Sequence, residues 1–296
     1  MDLMRSPLFV PGNRANMLEK ALGLAPDAFI PDLEDSVPPD QKENARNVVS
    51  SFLPLLAGVG PPVIPRVNSL QTGLMEDDLT AVAGPHIYGV SVGKVSSAED
   101  VNLIDSEIEC CELKSGLRVG TLKLVLWLET ALAIVHSYEI CSASQRIVAV
   151  AFGAEDFTND MGIERTEASV EISYPRNAVS ISARAAGVLA IDTPYFALRD
   201  QEGLLQDALA AKAVGFQGKF AIHPEQIEVI NKAFAPSTQE VEQARRIVDV
   251  YEKAERSGRG ATSLDGMVID IPVVKRARQI LQLVRKDPYF LQEKER

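Results

Sequence analysis

The chain is poor in the residues that staple or ligate small proteins: among 296 residues there are three cysteines and three histidines. Cys110 and Cys111 are adjacent and Cys141 stands apart. An odd count at that spacing fits neither a disulfide framework nor a cysteine zinc site, and points to a reducing, cytoplasmic compartment. His86, His136 and His223 form no HxH or HxxxH pair. A histidine-built metal centre is therefore not expected, and any metal would be held by oxygen, as Mg²⁺ or Mn²⁺ is. No apolar run reaches 18 residues, so no membrane span is expected. Positive charge is also short: 30 Lys and Arg stand against 41 Asp and Glu, a net charge of −11 with no basic block. Such a chain is a poor partner for nucleic acid or an anionic membrane. Only MDLMRSP precedes the first apolar segment, too little for a signal peptide. A P-loop and a GxGxxG are both missing, so nothing supports an ATPase or a Rossmann dinucleotide site.

What the chain does have is rhythm. Eight short apolar segments each end in a polar cluster: LFVPGNR (8–14), AFIPDLED (28–35), PVIPRVN (62–68), YGVSVGK (88–94), LVLWLET (124–130), IVAVAFGAED (147–156), LAIDTP (189–194) and KFAIHP (219–224). Helical periodicity fills most gaps, over 15–24, 39–53, 98–113, 131–143, 174–187 and 201–214, with 224–235 as an eighth barrel helix. The stretch after AFGAEDF reads as a long polar loop of the kind that contacts substrate. Strand, polar end and helix repeated eight times predict an α/β protein, a (β/α)8 barrel, with the polar ends sharing one face. The barrel is expected over residues 1–235, and residues 236–296 form a C-terminal helical extension with the MVIDIP segment. The glycine-rich SGRGATSLDG before that segment reads either as part of a solvated decoration or as the joint of a lid or arm reaching a neighbouring subunit.

The strand ends nominate the chemistry. Glu129 and Asp156 follow apolar runs, and two carboxylates at a barrel mouth suit Mg²⁺. Either acid alone more often caps a helix or pairs with an arginine, and both readings stay open at this point. Asp32, Glu34 and Asp35 crowd three acids into four residues, which calls for a cation or hydrogen-bond donors nearby. They fit an outer layer around metal-bound water, or a helix N-terminus. Arg66 can grip a carboxylate or an enolate, or serve as ion-pair partner to that acidic mouth. Lys94 is a further cation on the face, though nothing marks it as a Schiff-base lysine. Arg14 and Asn16 sit where an anionic group could meet the first strand end, and His223 could donate to a substrate.

Taken together and in order, RSPLFVPGN, DLEDSVPPDQKENAR, PRVNS, GKVSSAED, ETA, FGAEDFTNDMG, RAAGVLAID, GFQGKFAIHPEQI and MVIDIP resemble the citrate lyase β-subunit-like family of the HpcH/HpaI aldolases, with its malyl- and citramalyl-thioester lyases. The resemblance implies a TIM barrel, a homotrimer and Mg²⁺-dependent carbon–carbon bond cleavage next to a thioester. It implies Glu129 and Asp156 as metal ligands and Arg66 as the residue that binds substrate and steadies the enolate. Phe9 and the positions after PGN, Arg14 and Asn16, would line the coenzyme A site, with Ile222 and His223 also on the coenzyme. Asp270 of MVIDIP matches an acid/base aspartate supplied to a neighbouring subunit's site, which favours the arm reading of the tail. The resemblance also leaves room for two variants: a citrate lyase β subunit served by an acyl-carrier protein, and an aldolase for free 2-oxo acids. Three positions depart from the family pattern: Asn16 where a lysine is frequent, Val-Gly before Lys94, and Trp127 where a small or aliphatic residue is common. They point to a different acyl group or carrier.

Overall fold

The computed structural model describes residues 4–166 and 169–286 and divides the chain, between Phe234 and Ala235, into two units. In the first unit strands and helices alternate as β1 Pro7–Pro11, α1 Ala15–Ala21, β2 Ala28–Asp32, α2 Lys42–Val59, β3 Arg66–Val67, α3 Met75–Val82, β4 Gly89–Val92, α4 Ala98–Lys114, β5 Lys123–Leu128, α5 Ala131–Val135, α6 Ser137–Ser142, β6 Ile147–Phe152, α7 Ala154–Met161, α8 Ser173–Ala186, β7 Leu189–Asp192, α9 Gln201–Ala213, β8 Gly218–Lys219 and α10 Gln226–Phe234. All eight strands pair in parallel in chain order. A bridge between Leu8 and Ala221 joins the last to the first, with Phe9 N donating to Ala221 O at 2.9 Å. This is the (β/α)8 barrel that the rhythm predicts.

Strand alternation sorts the core into two layers. Val90, Val92, Leu124, Leu126, Leu128, Val150 and Phe152 face outward and pack in the shell under the helices. Ala28, Ile30, Val125, Trp127, Ala149, Ala151, Ile191 and Phe220 face inward and fill the lumen. The barrel is thus plugged below, and its polar strand ends stand above an apolar floor.

Local structure departs from the periodicity in three places. A helix the pattern does not show, α3, follows β3. Its acids Glu76, Asp77 and Asp78 occupy the first turn, where they suit the positive end of the helix dipole. The stretch 131–143 breaks at His136 into α5 and α6. The expected loop after AFGAEDF is helix α7 as far as Met161, stopped by Gly162 in the left-handed conformation at φ 67°. As a result Asp156 lies in the first turn of α7 rather than on the strand, which ends at Phe152.

The second unit holds α11 Thr238–Arg256, the antiparallel pair β9 Thr262–Leu264 and β10 Met267–Ile269, and α12 Ile271–Lys286. Ser237 and Glu240 form a reciprocal cap at the start of α11. Ile269 packs with Tyr251 and Val274. Among the described residues no helix is long and apolar enough to cross a membrane.

Candidate active site

The site begins with one ion pair. Asp32 and Arg66 are register partners at the ends of β2 and β3. Their side chains meet in two parallel bonds, Nε to Oδ1 at 2.6 Å and Nη2 to Oδ2 at 2.7 Å. Asp32 also accepts the backbone N–H groups of Glu34 at 2.9 Å and Ser36 at 3.1 Å. Burial alone would raise the Asp32 pKa, but Arg66 and these donors outweigh it and hold the carboxyl below its usual range. Arg66 is therefore a fixed charge. Its guanidinium lies 4.7 Å from the centre of the Phe9 ring, and its Nη1 donates to Asp35 at 3.3 Å and lies 3.3 Å from Glu34.

Beside it three carboxyls face one another. Glu34 is 3% exposed, and both its oxygens lack a hydrogen-bond donor. Burial, reinforced by Asp35 and Asp32, pushes its pKa up to about 7 despite Arg66 and Lys94. Glu129, also 3% exposed, is pushed up to about 8 by burial and by the charges of Asp156 and Glu34. Asp156 is raised by burial and by Asp35. The backbone accommodates this crowding. A Cβ on Gly93 would lie 2.9 Å from Glu129 Oε1 and 3.0 Å from Glu34 Oε2, and one on Gly153 would overlap the Glu129 side chain. Lys94 takes a left-handed backbone at φ 57°, and its N–H donates to Glu129 Oε1 at 2.6 Å. Its ammonium reaches Asp35 at 3.1 Å. Burial lowers the Lys94 pKa, but Glu34 and Asp35 raise it overall, the opposite of what a Schiff-base lysine needs.

The Glu34 oxygens take no hydrogen bond, with Arg66 Nη1 at 3.3 Å and Lys94 Nζ at 3.6 Å, and crowded buried carboxylates of this kind fit a hard divalent ion. Among the described residues no three His, Cys, Asp or Glu side chains converge tightly enough to enclose an ion by themselves. That agrees with a metal that takes one or two carboxylates and completes its shell with water and substrate.

The acidic loop is pinned from behind. Lys42 Nζ donates to the carbonyls of Leu33 and Glu34, both at 2.7 Å. Asn68 Nδ2 donates to Leu33 O at 2.9 Å and to Asp78 at 2.6 Å, and Asp78 is itself held by Arg46 at 3.1 Å. Sequence reading passed over Lys42, Asn68 and Asp78 as site residues. The signals were the lysine eight residues after Glu34 and the asparagine of PRVNS.

Asp32, Asp35, Arg66, Glu129 and Asp156 border a cavity of about 350 Å³ whose lining also includes Phe9, Trp127 and Ile222, while Glu34 and Lys94 stand behind that lining. Arg14 and Asn16 are exposed at the start of α1, outside that lining. His223 is also outside it, with Glu225 N–H donating to its Nδ1 at 3.3 Å. Asp270 belongs to the second unit. It is exposed, and its carboxylate accepts Val273 N–H at 3.3 Å as the cap of α12.

The family model described as HpcH/HpaI aldolase/citrate lyase matches residues 5–224. The chain is 38% identical over 284 residues to citrate lyase subunit beta of Haemophilus influenzae, covering 95% of this chain and 97% of that one. It is 34% identical over 280 residues to a (3S)-malyl-CoA thioesterase of Cereibacter sphaeroides, covering 94% and 93%. Among solved structures it is similar to protein CitE of Mycobacterium tuberculosis in complex with magnesium, acetoacetate and coenzyme A, at 30% identity and a TM-score of 0.78, covering 95% of this chain and 97% of that one. With a carboxylate-rich barrel mouth and matches along nearly its full length, the chain belongs to the HpcH/HpaI aldolase/citrate lyase family and is a carbon–carbon lyase.

Proposed function

We propose that this lyase uses Mg²⁺ to cleave, or in reverse to form, a short hydroxyacyl-CoA thioester of the malyl, citramalyl or citryl type. One observation carries the reading: Glu34, Glu129 and Asp156 are drawn together next to Arg66, and Glu34 has no donor for either oxygen. Glu129 and Asp156 are the residues that would hold the ion, with Glu34 and Asp35 orienting water around it. Bound there, the ion supplies Lewis-acid polarisation of the substrate's carboxylate and hydroxyl oxygens.

The chain's own groups account for the rest. Arg66, locked by Asp32, directs its remaining N–H groups at the thioester oxygen, where negative charge grows as the carbon–carbon bond breaks. A buried carboxylate of the trio takes the hydroxyl proton. The bond's electrons pass to the thioester as an enolate, and the former carbinol carbon leaves as a 2-oxo acid. Asp270 protonates the enolate carbon, giving the acyl thioester and balancing the proton taken from the hydroxyl. Asp270 is supplied by a neighbouring copy in a homotrimer. Phe9 and Ile222 line the acyl thioester, while Arg14, Asn16 and His223 meet the coenzyme outside the cavity.

The test is a mass-spectrometric assay of a hydroxyacyl-CoA panel with Mg²⁺, comparing the wild type with Asp270→Asn and Glu129→Gln. Cleavage of one thioester, reduced about 10²–10⁴-fold by Asp270→Asn, is the expected result. Full activity in both variants overturns the assignment. The 38% identity to a citrate lyase β subunit favours a second reading, in which the thioester is carried by an acyl-carrier protein. Cleavage of the carrier thioester and of no CoA ester would establish it.

A further inference from the structure

Beneath the carboxylates the lumen is closed by three aromatic rings. Trp127 and Phe220 stack with centroids 4.4 Å apart, Phe9 and Phe220 lie at 5.2 Å, and Phe9 and Trp127 at 5.6 Å. Trp127 lies on β5 and Glu129 just past its end, two residues on, so both side chains reach the barrel cavity one level apart. The indole has room because its register partner on β6 is Ala151 and the next inward residue there is Ala149. It is also fixed: its Nε1–H donates to Ser91 Oγ on β4 at 2.9 Å. With one strong donor bond and two ring neighbours, Trp127 cannot swing aside for a longer ligand without leaving that N–H unpaired in the core.

We infer that Trp127 sets the substrate class of the site: it limits the 2-oxo acid released to one with hydrogen or methyl on the oxo carbon, a short monocarboxylate. The inference rests on the lyase reading above. A group on the oxo carbon that points down the barrel meets the aromatic plate within one residue level of the metal-binding carboxylates. A longer alkyl branch collides with the indole. A second carboxylate finds no unpaired cation among the protein's own groups. Asp32, Asp35, Glu129, Glu155 and Asp156 line the cavity, Arg66 is already paired to Asp32, and the Lys94 ammonium behind the lining is held by Asp35 at 3.1 Å. The plate itself offers no donor, because the indole N–H is committed to Ser91. The predicted acyl-thioester substrate is thus of the malyl or citramalyl type, and citryl is disfavoured.

Trp127 is the chain's single tryptophan, so its fluorescence reports from the floor of the site. The experiment titrates wild-type protein, with Mg²⁺, against glyoxylate, pyruvate, 2-oxovalerate and oxaloacetate, following tryptophan emission and, in parallel, calorimetry. Glyoxylate and pyruvate are expected to change the emission and to bind at least about tenfold more tightly than 2-oxovalerate, the scale on which a pocket rejects extra methylenes. Oxaloacetate is expected to bind as weakly as 2-oxovalerate. Trp127→Leu, followed by calorimetry with a melting curve as control, is expected to bring 2-oxovalerate to within a few-fold of pyruvate. Equal wild-type affinities for pyruvate and the larger acids overturn the inference while leaving the lyase reading intact. So does an unchanged ratio in Trp127→Leu. If that variant fails to fold, Trp127→Phe and the wild-type ratios decide. If none of the four acids binds in the presence of Mg²⁺, the lyase reading falls, and the inference with it.

Discussion

Replacing Lys219 by methionine leaves the barrel wall with one carboxylate too many. Lys219 and Asp192, the last residues of β8 and β7, are register partners, and both are fully buried. Lys219 Nζ lies 2.6 Å from Asp192 Oδ2 and 2.5 Å from Asp207 Oδ2 of α9. Arg176 of α8 grips Asp192 with two bonds of 2.9 and 2.8 Å and reaches Asp207 at 2.7 Å. Two cations balance two anions; Lys219 and Asp192 are out of water, while Arg176 and Asp207 border a cavity. Lys219→Met keeps the aliphatic volume but makes the cluster net negative, and breaking a buried pair in this way costs about 3–5 kcal/mol. At about 2–4 °C per kcal/mol for a domain this large, the melting temperature should fall by about 6–20 °C.

The loss has a pH signature. Burial alone would raise the Asp207 pKa, but Lys219 and Arg176 outweigh it and hold the carboxyl below 3.8. A depressed carboxyl stabilises the fold above its unfolded pKa, and that stability goes as pH falls through the folded value. Without Lys219 the Asp207 pKa rises, so acid relieves the extra charge in the variant sooner than it harms the wild type. The assay is urea unfolding of both proteins at about pH 7 and about pH 5. The gap should narrow at the lower pH, and Lys219→Met/Asp207→Asn should recover most of it, since Asp192 keeps Arg176. A cost below about 1 kcal/mol, or a gap equal at both pH values, refutes the reasoning.

Three further outcomes are expected. Mg²⁺ at about 100 times its Kd should add about 2.7 kcal/mol of stability, seen as a rise in melting temperature that EDTA reverses and that Glu129→Gln abolishes. Gly93→Ala places a methyl 2.9 Å from Glu129 Oε1 and 3.0 Å from Glu34 Oε2. It should weaken Mg²⁺ binding by about 10–100-fold in calorimetry, and unchanged affinity would put the ion elsewhere. Lys42→Met leaves the carbonyls of Leu33 and Glu34 without their donor and should cost about 1–3 kcal/mol in urea unfolding, with a loss of lyase activity as Glu34 shifts.

The barrel was legible because each buried strand is a short apolar run closed by a polar residue that helix periodicity cannot explain. The site's membership was half legible for the same reason: Asp32, Arg66 and Glu129 sit at strand ends, where the fold gathers them. For Asp156 the sequence left strand end and helix start open, since acids just after a strand suit either, and it lies in the first turn of α7. Pairings were not legible. Arg66 with Asp32 spans 34 residues and Lys219 with Asp192 spans 27. Nothing local distinguishes the buried Lys219 and Asp78 from surface charges, because their partners arrive only with the fold. Helix α3 was hidden because an acidic first turn looks like a loop until the helix dipole is considered.

The bridge between Leu8 and Ala221 also bears on solubility. A ring of strands has no edge: every barrel strand already has a neighbour on each side, so a passing chain finds no unpaired backbone to extend. The β9–β10 hairpin is built the other way. It has two strands and therefore two open flanks, with Met267 and Val268 exposed on one of them. Among the described residues, strand-to-strand pairing with another chain has one place to start, and it is the stretch that runs directly into Asp270.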